Sequence, residues 1–141
     1  MSTTVILVPV LMQVLLTLLL FIRLGVEKSK ASAAGGVDRH KAALHYDAWP
    51  DAVLKVSNNI RNQFETPILF YVLAIVFCLL NEVDLIVLGL AVVYVASRYI
   101  HAWVHTSSNY VPWRLRSFML GAVVLLILLF IAMSRLFVSL S

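Results

Sequence analysis

The chain contains 141 residues, of which 62% are hydrophobic and only 13% are charged. A soluble domain of this length is under half apolar and about a quarter charged, so the composition excludes a soluble fold and predicts an integral membrane protein. The net charge of +4 does not indicate a nucleic-acid-binding protein, because the basic residues flank apolar segments and form no long cluster.

Four apolar segments are long enough to cross the roughly 30 Å hydrocarbon core of a bilayer as helices. The second is short by itself, but Asp47 as N-cap and Pro50 in the first helical turn predict an earlier helix start. The polar segment 51–63 would then extend this span out of the membrane. The sequence predicts an all-α four-transmembrane-helix bundle, a single domain over residues 1–141 with spans at about 5–24, 52–80, 85–105 and 114–140.

The basic residues lie mainly on one side of this predicted bundle. All but one of the 11 Lys and Arg residues lie in or beside loops one and three, and the exception is Arg135. The positive-inside rule therefore places these loops in the cytoplasm and both termini outside. Within loop one, the small residues between Lys30 and Val37 predict a flexible segment.

A polar stripe enters the second span. Asn58, Asn62 and Glu65 are spaced i, i+4, i+7 and lie on one face of a helix. Amides and a carboxylate at a membrane span are costly, so such groups usually face a protein or water-filled interior and mark a functional site. Pro67 follows the stripe and predicts a kink within a continuous helix. The alternative is that Pro67 begins the membrane segment after a break.

The third span carries a second polar stripe, Tyr94, Arg98, His101 and His105. An ion pair between Arg98 and Glu65 is expected, because the two opposite charges lie at similar depth and a lone buried charge is costly.

Three interpretations of these polar residues compete. In the first, they only join the helices, which we prefer for Asn59, Gln63, Thr66 and Tyr94. In the second, His101 and His105 bind a metal together with Glu65; the i, i+4 spacing allows this, but no HExxH motif or second His pair supports it. In the third, arginines at the helix ends bind an anionic, thiol-bearing cosubstrate and stabilise its thiolate.

Several of these residues also form a recognisable pattern. The motif Arg61-Asn62-x-x-Glu65-Thr66 ahead of an apolar span resembles the second helix of the MAPEG family, the membrane-associated proteins in eicosanoid and glutathione metabolism. Arg98 and His101 match the arginine and histidine of the family's third helix, and Pro112-Trp113-Arg114 matches the Pro-x-Arg that opens its fourth. The resemblance covers nearly the whole chain and is closest to a bacterial branch.

This resemblance implies a homotrimer that binds glutathione as cosubstrate between subunits near the cytoplasmic face. It implies a transferase or peroxidase in which glutathione sulfur attacks a lipophilic small molecule. We expect neither a metal nor nucleic acid to take part. The lipophilic partner would lie among apolar residues of spans one and four. Arg114 is the implied catalytic residue, which stabilises the glutathione thiolate. The residues implied to bind glutathione are Asn58, Arg61, Asn62, Glu65, Arg98 and His101.

The sequence departs from the pattern of the catalytic members at three positions. Asn58 replaces an arginine, Leu54 replaces a glutamate that is often present one turn earlier, and Phe118 replaces a tyrosine after the helix-four arginine. These departures support an alternative in which the chain is a non-catalytic relative that binds a membrane lipid or a partner protein in the same pocket.

Overall fold

The computed structural model describes residues 2–141, and it confirms the predicted all-α membrane bundle. Four helices are long and apolar enough to cross a membrane, and residues 2–141 contain no strand. The second of these helices is divided by a break, and a short helix lies in loop one. Single 3₁₀ turns at Thr3–Ile6 and Tyr46–Ala48 accompany the helices α1 (Leu7–Ala33), α2 (Arg39–Leu44), α3 (Asp51–Gln63), α4 (Thr66–Leu80), α5 (Leu85–Thr106) and α6 (Val111–Leu140).

The first helix is longer than its apolar segment. It continues to Ala33, so the prediction of a flexible segment from Lys30 is wrong for residues 30–33. The helix continues past Gly25 and ends before Gly35, which adopts a left-handed conformation with φ of 73° and donates its N–H to the Ser32 carbonyl. A left-handed glycine is the usual end of a helix, so α1 projects beyond the bilayer before the chain turns.

Loop one contains α2 and a tight turn before the second span. The Asp38 side chain caps α2 by accepting hydrogen bonds from the backbone N–H groups of His40 and Lys41. The prediction of Asp47 as the N-cap of the second span is wrong, because Asp47 lies in the preceding 3₁₀ turn. Trp49 is extended, as the residue before a proline prefers, so the helix begins only after Pro50.

The second span is broken beside Glu65. Helix α3 ends at Gln63 and α4 begins at Thr66, and Glu65 lies between them with φ of −101° and ψ of −98°. The predicted kink in a continuous helix is therefore wrong, and the alternative is correct: Pro67 lies in the first turn of α4 and begins the membrane segment after a break. The proline ring would crowd the carbonyl of Gln63 and offers that carbonyl no N–H, so the helix stops and restarts here.

Two contacts fix α5 against its neighbours near the polar end of the bundle. A Cβ at Gly121 on α6 would lie 2.9 Å from Ser97 Oγ, so α5 and α6 approach closely only because residue 121 has no side chain. At the end of α5, the Arg23 guanidinium of α1 donates to the Thr106 hydroxyl and carbonyl at 2.7 and 2.9 Å. These contacts hold the polar stripe of the third span in the interior of the bundle.

At the opposite end, Asp84 caps α5 and joins it to α6. Its Oδ1 accepts a hydrogen bond from Val87 N–H at 2.8 Å, and its carboxylate pairs with Arg135. The Val87 N–H, together with Arg135, lowers the pKa of Asp84 below its ordinary value. A lowered native pKa contributes stability that is present above the ordinary pKa and is lost as the pH falls through the native value.

We therefore expect Asp84→Ala to destabilise the detergent-solubilised protein by about 0.5–1 kcal/mol at neutral pH, through loss of the cap. The difference in apparent Tm between wild type and variant should shrink as the pH falls through the lowered pKa of Asp84. Glu82→Ala is the control, because that carboxylate is more distant from Arg135, at 3.7 Å, and caps no helix. A difference that stays constant with pH would contradict the role of the ionised carboxylate.

Candidate functional site

A polar cavity of about 440 Å³ lies where α3, α5 and α6 meet beside the break in the second span. Every residue predicted to form the site lines it except Arg98, which lies deeper in the bundle. The cavity also has an apolar wall on α6. Its lining residues are Asn58, Arg61, Asn62, Glu65, His101, His105, Val111, Arg114, Leu115 and Phe118.

The α3 side of the cavity is formed by the predicted polar stripe. Asn58 and Asn62 lie one turn apart on α3, and Asn62 is half-buried against α5 while Asn58 is exposed. Arg61 and Glu65 are also exposed, and Glu65 occupies the break after α3. The stripe thus places amides, one cation and one anion around the same open space.

Arg114 contributes a second cation from the first turn of α6. Its guanidinium donates to Asn109 Oδ1 at 2.7 Å, which fixes the side chain beside the cavity. Asn109 has a left-handed backbone, with φ of 53°, and this conformation ends the turn between α5 and α6. The sequence analysis did not identify Asn109, although asparagine before a proline-started helix is a typical left-handed turn residue.

His101 joins all three sides of the cavity. Its Nδ1 lies 3.0 Å from the carbonyl oxygen of Arg114, and its Nε2 lies 3.4 Å from Asn62 Nδ2. A carbonyl can only accept, so Nδ1 of His101 carries a proton; with the Asn62 amide oriented in this way, Nε2 accepts and the ring is neutral. His101 therefore uses both ring nitrogens to hold α3 and α6 in place.

The expected ion pair between Glu65 and Arg98 is not formed. Arg98 is fully buried, and none of its three guanidinium nitrogens has a hydrogen-bond partner within residues 2–141. Its guanidinium instead lies 5.5 Å from the centre of the Phe118 ring. Because Glu65 lies in the break between helices, its side chain is exposed at the rim of the cavity while Arg98 remains in the interior.

The metal hypothesis also lacks a ligand set in the structure. No three His, Cys, Asp or Glu side chains in the described part of the chain are grouped closely enough to hold a metal ion. Both nitrogens of His101 are engaged in hydrogen bonds, and Nδ1 of His105 contacts Asn59 Nδ2 at 3.2 Å.

The polar residues that we assigned to joining helices do form hydrogen bonds between them. Tyr94 of α5 donates to Thr66 at the start of α4 at 3.3 Å. Gln63 and Asn59 bond to each other and also contact α1 and α5. Gln13, which the sequence analysis did not single out, supplies the α1 partner by donating to Gln63 Oε1 at 2.8 Å.

The departures from the family pattern have structural consequences around the cavity. The Tyr46 hydroxyl from loop one lies 3.3 Å from both Asn58 Oδ1 and the Leu54 carbonyl oxygen, and the Arg61 guanidinium lies 6.0 Å from the Tyr46 ring. The oxygen of Asn58 is thus already in contact with a donor, while Phe118 packs against Arg98. Tyr46 is a further residue beside the site that the sequence analysis missed.

An apolar groove of about 420 Å³ lies between α4 and α6, and Thr66, which follows Glu65 directly, is one of its lining residues. Apart from Thr66, aliphatic side chains line the groove. They are Leu69, Val72, Leu73, Ala122, Leu125, Leu126 and Leu129.

The fold and the cavity together define an integral membrane protein whose four-helix bundle holds a mixed-charge polar site at one end. The model of the MAPEG family matches residues 6–134, so the chain belongs to the MAPEG family. It is thus a membrane protein related to glutathione and eicosanoid metabolism. Comparison with curated proteins and with solved structures returned no match.

Proposed function

We propose that this protein is a glutathione-dependent transferase or peroxidase acting on lipophilic electrophiles at the membrane. The observation that carries the proposal is the cavity in which Arg61, Glu65 and Arg114 surround one space. Glutathione has two carboxylates, one ammonium group and one thiol. Two guanidinium groups and one carboxylate match the charges of such a ligand, and the amides of Asn58 and Asn62 can bond its peptide groups.

The roles follow from these charges. Arg114 is the proposed catalytic residue: its guanidinium favours the thiolate over the thiol, and Asn109 and His101 hold it at the cavity wall. Glu65 binds the ammonium group and Arg61 a carboxylate. Asn58, Asn62, His101 and Arg98 complete the proposed glutathione site, with Arg98 acting from the interior through the field of its buried charge.

Two reactions fit this arrangement. With an electrophile, the thiolate sulfur forms a C–S bond and the leaving group departs with its electron pair. With a lipid hydroperoxide, the thiolate attacks the terminal oxygen, the O–O bond breaks to release the alcohol, and a second glutathione reduces the resulting sulfenic acid to disulfide and water. The protein contributes thiolate stabilisation and positions the two reactants.

The apolar groove between α4 and α6 is the proposed site of the lipophilic partner. Its member Thr66 directly follows Glu65, so the groove begins beside the polar cavity. The groove lies between spans two and four, whereas the sequence analysis expected spans one and four. A lipophilic molecule in this groove would reach the cavity from within the bilayer.

We further propose that the chain is a single membrane domain that assembles as a homotrimer, as family membership suggests. The resemblance to a bacterial branch suggests a bacterial inner membrane, and the charge distribution favours loops one and three in the cytoplasm and both termini in the periplasm. In this orientation the polar cavity opens near the cytoplasm, where a water-soluble thiol peptide is available.

The second candidate is a non-catalytic relative that binds a lipid or a partner protein in the same pocket. The contact of Asn58 with Tyr46 and the packing of Phe118 on Arg98 favour it, because these positions carry an arginine and a tyrosine in the catalytic members. The two candidates differ in whether glutathione binds and reacts.

Glutathione binding to the detergent-solubilised protein, measured by calorimetry, tests the proposal. We expect binding in the millimolar range or tighter, and we expect Glu65→Gln to weaken it by about tenfold or more, because a charge-assisted hydrogen bond is lost. Glu82→Gln is the matched control, since Glu82 lies in the loop between α4 and α5 at the other end of the bundle. Wild-type protein that binds no glutathione at millimolar concentration would refute the enzyme proposal.

A further inference from the structure

The two histidines of the cavity differ in the number of ring nitrogens that form hydrogen bonds. His101 uses both nitrogens, Nδ1 toward the Arg114 carbonyl and Nε2 toward Asn62. His105 lies 5.5 Å away, ring centre to ring centre, and only its Nδ1 is engaged, by Asn59 Nδ2 at 3.2 Å. His105 Nε2 forms no hydrogen bond with any residue of the described chain, and it is not among the fully buried polar atoms. His105 also lines the cavity, so its free nitrogen is available to a ligand.

The partner of His105 belongs to a buried chain of three amides. Gln13 Nε2 donates to Gln63 Oε1 at 2.8 Å, Gln63 Nε2 donates to Asn59 Oδ1 at 3.1 Å, and Asn59 Nδ2 contacts His105. All three amides are almost completely inaccessible to solvent, at 0–2% exposure. Water therefore cannot replace any of these partners, and the orientation of each amide depends on the next.

One bond determines the direction of the whole chain. Gln63 Nε2 also donates to the backbone carbonyl of Asn59 at 3.3 Å, and a carbonyl oxygen can only accept. A flipped Gln63 amide would place its oxygen against this carbonyl oxygen, so Gln63 is fixed with its nitrogen toward Asn59. Asn59 must then turn its oxygen toward Gln63 and its nitrogen toward His105.

The direction of the chain defines the protonation of His105. Because Asn59 presents a donor, Nδ1 of His105 must be unprotonated, and the proton of the neutral ring lies on Nε2. The neighbouring ring of His101 is neutral, with its proton on Nδ1.

We propose that Gln13, Gln63 and Asn59 form a positioning network that fixes His105 as a neutral imidazole with an Nε2–H donor directed to the cavity ligand. In this arrangement His101 holds the cavity walls and His105 is the histidine that contacts the ligand. The ligand group that His105 recognises is a hydrogen-bond acceptor, such as a carbonyl, carboxylate or thiolate. The identity of the ligand rests on the proposed glutathione function, whereas the protonation of His105 does not.

Nitrogen NMR of the full-length protein in detergent micelles, labelled with ¹⁵N-histidine, tests the network. The chain has four histidines, and the signals of His105 are assigned by their loss in His105→Gln. We expect His105 to show an unprotonated Nδ1 and a protonated Nε2 in the wild-type protein without ligand. A His105 with its proton on Nδ1, or on both nitrogens, at neutral pH would overturn the proposal without requiring any other variant.

Replacing the hydrogen-bond donor at residue 59 by an acceptor provides the second test. Asn59→Asp replaces the amide donor by a carboxylate acceptor of the same shape, so the proton of His105 should move to Nδ1. Asn58→Asp is the matched control, because it adds the same charge to the neighbouring position without contacting His105. A folded Asn59→Asp protein with unchanged His105 signals, or an equal shift in Asn58→Asp, would overturn the network.

Addition of glutathione then tests the contact with the ligand. We expect glutathione to shift the Nε2 signal of His105 and to bind His105→Phe about 5- to 10-fold more weakly than wild type. If glutathione binds and leaves both the Nε2 signal and the affinity of His105→Phe unchanged, the ligand contact is refuted. If wild-type protein binds no glutathione, the proposed function fails, while the His105 signals without ligand still decide whether the network exists.

Discussion

Arg114→Ala should lower the rate of glutathione conjugation by about 100-fold or more while leaving the bundle folded. Removing a positioned charge that stabilises a reacting anion typically costs 10²–10³-fold in rate, and Arg114 is the only guanidinium that α6 contributes to the cavity. The rate with a hydrophobic electrophile, measured across pH, checks this prediction. The difference in rate between variant and wild type should shrink as the pH rises, because the glutathione thiol then ionises without the help of Arg114.

Arg116→Ala is the control for Arg114. Arg116 is an arginine of the same helix turn, but it is exposed, its guanidinium lies 5.5 Å from the Trp113 ring centre, and it does not line the cavity. Its rate should remain within about twofold of wild type, as for most surface substitutions. Equal losses in the two variants would show that the net positive charge of this helix end, rather than the position of Arg114, supports the reaction.

Arg98→Met should stabilise the protein and at the same time weaken glutathione binding. A buried guanidinium without hydrogen-bond partners opposes folding, and replacing buried charges by apolar side chains of similar volume often stabilises by about 1–4 kcal/mol. The contact with the Phe118 ring offsets only part of this cost. We expect an increase of several degrees in apparent Tm, measured in detergent, together with a lower glutathione affinity.

Arg23→Met should have the opposite effect on stability. Arg23 is exposed, unlike Arg98, and its guanidinium donates two hydrogen bonds to Thr106. Its removal should lower the apparent Tm, because the carbonyl and hydroxyl at the end of α5 lose their donors. A fall in Tm for Arg98→Met similar to that for Arg23→Met would contradict the absence, within residues 2–141, of hydrogen-bond acceptors for Arg98.

The membrane class of the protein and most of the residues that line its polar cavity follow from the sequence alone. Apolar segments of about 20 residues define membrane helices through bilayer thickness alone, and local spacing defined the stripe of Asn58, Asn62 and Glu65. The motif around these residues also identified the family, which the family model matched over residues 6–134. These features are local in sequence, so no knowledge of helix packing was needed.

The packing of the helices determines which of these residues touch one another. It separated Glu65 from Arg98, because the helix breaks between Gln63 and Thr66 and leaves Glu65 at the rim. It brought Tyr46 of loop one and Asn109 of the turn before α6 to the cavity residues. Such contacts depend on how separate helices and loops pack, and residue spacing within one helix carries no information about them.

The protonation of the histidines was likewise beyond the sequence. The i, i+4 spacing of His101 and His105 suited a metal or a ligand equally well, and it left both rings equivalent. Only the packing of α1, α3, α5 and α6 shows that His101 is engaged at both nitrogens and that His105 contacts a buried amide through Nδ1 alone. The direction of a hydrogen bond is set by the donor or acceptor that the neighbouring helix presents, and that neighbour is chosen by the tertiary fold.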